Sequence, residues 1–255
     1  MRIKRGKSIC LFSSKGGVGK TFNAISLAGI FELLAKRVLI IDFDLYSGDV
    51  ATYLNKKVKK DIYDLSLDLD GRVAGNIGDY VTKIDDYIDI LAAPIDPRLA
   101  NKVNANNIAD IINKGTLEYD VVLVDTNHAL NEISLSVLQA VDRILLLTKN
   151  DPLDVKSLKN LITILDEYEY TNYDIVLNNS RDPFKRYFTL FDIKRIIRHN
   201  IDYTLSEELY LKEIEKYIMD GLIVTLDSKF SDYFFKDYKT YLTIATDILG
   251  GDRNE

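Results

Sequence analysis

Residues 15–21 read KGGVGKT: two lysines bracket three glycines, and a threonine closes the run. Glycine lets a backbone bend closely around an anion where a Cβ would clash. Gly16, Gly17 and Gly19, with Val18 between them, therefore suit a loop whose amides face phosphate oxygens. A helix opening at Phe22 would add the positive end of its dipole. Lys20 would reach the β- and γ-phosphates, and the Thr21 hydroxyl would ligate Mg²⁺. The general pattern GxxxxGK[ST] places glycine at position 14, and this chain has Ser14.

Carboxylates follow at spacings that suit the same chemistry. IIDFDLYSGDV puts Asp42 and Asp44 at the carboxyl end of an apolar strand, where open α/β sheets bind ligands. Residues two apart on a strand share a face, so both would approach the metal and the terminal phosphate. VVLVDT sets Asp125 behind four apolar residues, a Walker B carboxylate placed to hold Mg²⁺ through water. The following DTNHAL contains His128, either a catalytic base or a surface histidine at a helix start; the second reading is preferred.

These residues need a scaffold, and the chain alternates strands with helices to provide one. SICLFSS (8–14) precedes the glycine loop and FNAISLAGIFELLAKR (22–37) follows it with apolar residues at helical spacing. Strand-like runs recur at 37–42, 87–93, 119–125, 143–148 and 173–179, with helical stretches at 99–114, 128–141 and 154–168. This pattern predicts an α/β fold, a mostly parallel sheet with helices on both faces. No proline- or serine-rich linker interrupts it, so residues 1–255 are read as one domain.

Composition narrows the function classes. A 47% hydrophobic, 28% charged chain is globular rather than disordered. A net charge of −6 argues against wholesale coating of nucleic acid and leaves a local basic face open. The single cysteine, Cys10, permits no disulfide framework or CxxC site within the chain and fits a reducing cytoplasm. No apolar run approaches the roughly 18–20 residues that span a bilayer.

KGGVGKT is the deviant Walker A sequence, and the chain resembles the MinD/ParA family of P-loop ATPases over nearly its whole length. The resemblance implies a P-loop NTPase fold, ATP and Mg²⁺ as ligands, and an ATP-dependent homodimer. In that family the lysine matched by Lys15 reaches across the dimer to the nucleotide of the other subunit. Asp44 matches the aspartate that positions the attacking water, and Asp42 a neighbour in the magnesium shell. Asn178, at the end of IVLNNS, matches an asparagine that reads the adenine edge, though Asn179 replaces the arginine that often follows. Cap or turn duty is the competing reading for either asparagine. DTNHAL also departs from the family, which often has proline soon after the aspartate.

Within the family, IDFDLYSGDVATYLN and LAAPIDPRLA look most like the TadZ/CpaE branch, associated with siting pilus or secretion machinery. That branch commonly carries an N-terminal receiver-like domain, whereas here the phosphate-loop strand begins at residue 8. A nucleotide-binding scaffold with negligible turnover is an alternative, motivated by DTNHAL and Ser14. MinD-type membrane binding uses a basic amphipathic tail. Here Phe230, Tyr233, Phe234, Tyr241, Leu242, Ala245, Ile248 and Leu249 form an apolar stripe that ends GGDRNE, which reads as a core-packing helix. Iron–sulfur relatives need paired cysteines, and tyrosine kinases of related fold carry a C-terminal tyrosine cluster; the 16 tyrosines here are dispersed.

ParA-type DNA binding would use 181–199, where Arg181, Lys185, Arg186, Lys194, Arg195 and Arg198 would form one basic face. The preferred reading of that segment is an amphipathic helix whose Phe188, Leu190, Phe191, Ile193, Ile196 and Ile197 supply core contacts.

Overall fold

The computed structural model describes residues 5–181, 187–209 and 214–250. Eight strands form one sheet: β1 (Lys7–Phe12), β2 (Val38–Phe43), β3 (Thr82–Lys83), β4 (Ile88–Leu91), β5 (Val121–Thr126), β6 (Arg143–Thr148), β7 (Tyr173–Asn178) and β8 (Tyr203–Leu205). Their order is β3-β4-β2-β5-β1-β6-β7-β8. Every pairing is parallel except that of the edge strand β3 with β4. β2 and β5 are buried at all positions, which is why they read as unbroken apolar runs rather than alternating ones.

Side chains still alternate between the two faces. Ile9 and Leu11 of β1 enter one core, and Cys10 and Phe12 enter the other. The first core is covered by α1 (Lys20–Leu33), α2 (Asp49–Tyr53), α8 (Ile214–Asp220), α9 (Phe230–Tyr233) and α10 (Phe235–Gly250). The second is covered by α3 (Ile62–Asp70), α4 (Ile108–Glu118), α5 (Glu132–Ala140), α6 (Pro152–Glu167) and α7 (Leu190–Ile197). Cys10 lies wholly inside the second core, and burial pushes its thiol pKa well up, leaving it a packing residue. The α/β architecture expected from the sequence is therefore the one observed.

Several segments differ from expectation. The helix expected over 99–114 is two 3-10 turns, Pro97–Lys102 and Ala105–Asn107, followed by α4. Asp96 accepts from Arg98 N and Asn104 from Asn106 N, so short polar side chains hold the backbone in turns. The C-terminal stripe is broken at Phe234, whose φ of −122° and ψ of 42° are not helical. Phe230, Tyr241, Ala245 and Ile248 are buried and Phe234, Leu242 and Leu249 partly so, whereas Tyr233 is 71% exposed and leaves the expected face. Among the described residues no helix is long and apolar enough to cross a membrane.

On α7, Ile193 and Ile197 are buried and Ile196 partly so, as is Phe188 just ahead of the helix, as expected of a core-packing face. Leu190 and Phe191 do not share it; both are exposed, Phe191 by 72%. They sit at the helix start, on the turn away from the core, beside exposed Lys194, Arg195 and Arg198. Lys185 and Arg186 lie outside the described residues.

One close approach ties the C-terminal region to the helix that carries the glycine loop. Thr225 Oγ1 donates to Ser26 O at 2.8 Å. A Cβ on Gly29, in the middle of α1, would collide with Thr225 Oγ1 and lie 2.7 Å from Ile223 Cγ2. Gly29→Ala should therefore destabilise the fold by about 1–3 kcal/mol through overpacking, although alanine favours a helix by about 1 kcal/mol. Urea denaturation checks this; an unchanged or raised midpoint would refute the close approach.

Candidate functional site

The glycine loop starts where β1 ends and stops where α1 begins. Gly17 (φ 73°) and Gly19 (φ 98°) adopt left-handed backbone, which explains glycine at these two positions. Gly19 is the N-cap of α1, so the unpaired amides of the first turn point out of the loop. Three side chains hold this shape. Ser13 Oγ donates to Lys15 O at 2.7 Å and accepts from Lys20 Nζ at 3.1 Å. Asn178 Nδ2, at the end of β7, donates to Val18 O at 2.9 Å. Asn23 Nδ2 donates to Gly19 O at 2.7 Å, while its Oδ1 accepts from Tyr241 of α10 at 2.7 Å.

A cavity of about 490 Å³ opens over the loop, lined by Gly16, Gly17, Gly19, Lys20, Thr21 and Phe22. Asp44, Asp49, Tyr53, Thr126 and His128 close its other sides. Lys20 is buried; desolvation lowers its pKa, and Asp125 and Asp44 draw it back up. Asp44 is raised by burial first, with Lys20 and His128 opposing the shift and Asp49 adding to it.

Asp42 and Asp44 do not face one way, as the strand spacing had suggested. β2 ends at Phe43, so Asp44 sits in the turn beyond it and lines the cavity. Asp42 stays buried, and its Oδ1 and Oδ2 accept from Asp44 N at 3.0 Å and Val50 N at 3.1 Å. Its evident work in the structure is to shape the turn that presents Asp44. Asp125 is also buried: Oδ2 accepts from Thr21 Oγ1 at 2.6 Å, and Oδ1 has no hydrogen-bond partner. Burial raises the pKa of both carboxyls, Asp125 to about 7.

A buried carboxylate oxygen without a partner is costly unless a donor or cation completes it. Asp125 Oδ1 and the adjoining Thr21 hydroxyl fit a Mg²⁺ ion. Among the described residues no three His, Cys, Asp or Glu side chains converge as a metal cage. An ion held by Thr21 and Asp125 would take its other oxygens from phosphate and water, as Mg²⁺ commonly does.

Other expected residues stand differently. Lys15 is exposed and does not line the cavity. Asn178 is fully buried, and its Oδ1 accepts from Ser180 N and Oγ, so both of its polar atoms serve the loop and the following turn. His128 does not start a helix, since α5 begins at Glu132 with Asn131 as N-cap; it belongs to the cavity wall. Sequence reasoning missed Ser13, Asn23 and Tyr241, whose contacts with the loop depend on chain crossings that local patterns do not show.

A family model described as an AAA domain, AAA_31, matches residues 6–177. The chain belongs to this family, among the MinD/ParA-type P-loop ATPases. The AAA_31 chain is 25% identical over 199 residues to the septum site-determining protein MinD of Bacillus subtilis, covering 76% of its own length and 72% of MinD. It is 29% identical over 163 residues to the chromosome-partitioning ATPase Soj of Thermus thermophilus, covering 63% of its own length and 62% of Soj. The solved MinD of Pyrococcus horikoshii, complexed with Mg-ADP, has the same fold, with a TM-score of 0.76 at 17% identity covering 96% of this chain and 98% of that one.

Asp125 gives the AAA_31 chain a pH signature. A carboxyl with a raised folded-state pKa keeps its proton where the unfolded chain has lost it, so stability falls as pH rises through that range. For Asp125 the window runs from about 4 to about 7. Asp125→Asn should stabilise the ligand-free protein at about pH 8 by roughly 1–3 kcal/mol, have little effect at about pH 4, and weaken binding of the Mg²⁺–nucleotide complex. Denaturation at both pH values checks the difference; destabilisation at pH 8 would contradict it.

Proposed function

We propose that the chain is an ATP-dependent dimerisation switch that binds and hydrolyses MgATP to position a cellular assembly. The observation that carries this reading is the half-satisfied Asp125 beside Thr21 and Lys20, under a loop of outward amides. Phosphates would lie against residues 16–21, with the Lys20 ammonium on the β- and γ-phosphates. Bound Mg²⁺ would neutralise phosphate charge at Thr21 and Asp125. Asp44, a carboxylate that lines the cavity, would orient the attacking water for in-line displacement. Lys15, exposed and outside its own cavity, would reach the nucleotide of a second copy and make nucleotide part of the interface. The cargo class favoured by the TadZ/CpaE-like segments is pilus or secretion machinery.

Phosphate release under saturating MgATP tests the enzyme, and sedimentation with and without MgATP tests the switch. Lys20→Ala should abolish turnover. Lys15→Ala should lose ATP-dependent dimerisation while the monomer still binds nucleotide. Asp44→Ala should slow turnover by roughly 10²–10³-fold and accumulate the ATP dimer. Normal dimerisation of Lys15→Ala would refute its reach across the interface, and unchanged turnover of Asp44→Ala would refute the water assignment. A wild-type chain that binds MgATP without steady turnover would favour the scaffold reading.

A second reading, partitioning on DNA, is favoured by the exposed face of α7, where Lys194, Arg195 and Arg198 stand beside Phe191. Three phosphate contacts would give a log–log salt slope of roughly −3. ATP-dependent retention of nonspecific DNA that is lost on joint neutralisation of the three cations would support it; retention unaffected by that change would clear α7 of the role.

A further inference from the structure

The turn after β5 is fixed on both sides of His128. Thr126 Oγ1 donates to Leu11 O at 2.8 Å, locking the strand end to β1. Asn127 Oδ1 accepts from Ala129 N at 2.9 Å and closes a turn around the histidine. The imidazole consequently stands over the glycine loop. A Cβ built on Gly16 would lie 3.5 Å from His128 Nδ1 and 3.7 Å from Cε1. The ring lines the same cavity as Lys20 and Asp44.

These neighbours define which end of a phosphate chain His128 would meet. The first turn of α1, at Gly19–Thr21, would receive the inner phosphates, since a helix N-terminus suits an anion. Asp44 marks the outer end, where water would attack. His128 faces Gly16, near the start of the loop, in the cavity that Asp44 also lines, and is assigned to the outer end on that ground.

We propose that His128 hydrogen-bonds the terminal phosphate of a bound nucleoside triphosphate, and so lets this chain distinguish triphosphate from diphosphate. An imidazole offers an N–H donor to a phosphate oxygen. The inference rests on the MgATP reading above. A role confined to packing against Gly16 would affect both nucleotides alike, so the ratio of the two affinities separates the cases.

The test is calorimetric titration of the full chain with a non-hydrolysable ATP analogue and with ADP, both in excess Mg²⁺. His128→Ala should lose about tenfold in affinity for the triphosphate and less than about twofold for ADP, the scale of a charge-assisted hydrogen bond. His128→Gln, which keeps a donor, should recover most of the loss. An equal loss on both nucleotides, no loss at all, or failure of glutamine to rescue would each overturn the proposal. Absence of nucleotide binding by the wild-type chain would overturn it together with the MgATP reading, whereas wild-type binding with an unchanged ratio in His128→Ala would overturn this proposal alone.

Discussion

Two aspartates are buried side by side at the carboxyl ends of adjacent strands, with one buried cation near them. The register of β2 against β5 places Asp42 opposite Asp125, and Lys20 is the one lysine or arginine in the buried set of the described residues. Burial in a dry interior disfavours the ionised form, which is why both carboxyls have raised pKa values, and the neighbouring Asp125 adds to the shift of Asp42. The structure resolves this tension unevenly. Asp42 is satisfied by two backbone amides, while Asp125 keeps one oxygen with no partner. A divalent cation with its phosphate ligand would complete the charge balance, and its binding would then be coupled to the protonation of the core beneath the site.

The rest of the fold holds that arrangement in place. Because β1, β2 and β5 run parallel, their carboxyl ends meet at one edge, and the glycine loop and both aspartates meet there. Apolar cores on both faces exclude water from the carboxylates. The loop is then pinned from three directions by Ser13, Asn178 and the Tyr241–Asn23 pair. The last contact extends the site to α10 at the far end of the chain, and Gly29 lets the 3-10 turn at Val224–Leu226 approach α1. The glycine loop and its helix are thus joined by direct contacts to the C-terminal region.

What the sequence revealed follows from which forces are local. KGGVGKT declared the loop because left-handed backbone at Gly17 and Gly19 demands glycine wherever the motif sits. The central strands were legible because burial on both faces leaves only apolar residues. β3 and β8 were not, since two and three residues carry no periodicity. Over 99–114, side chain-to-backbone bonds at Asp96 and Asn104 outweighed helical spacing. The direction of a side chain beyond a strand end was equally hidden. Asp44 turned into the cavity and Asp42 did not, because β2 stops between them. His128 reads as a helix start from spacing alone, and becomes part of the cavity only once the turn at Asn127 folds it over Gly16.

The coupling between metal–nucleotide binding and the buried carboxyls is measurable directly. Binding of ADP in excess Mg²⁺ at about pH 6.5 can be followed by calorimetry in buffers of different ionisation enthalpy, which counts the protons exchanged. Net release of protons is expected, since a cation at Asp125 favours the ionised form, and the release should shrink in Asp125→Asn. Binding with no buffer dependence, or with net proton uptake, would contradict a site organised around that carboxylate.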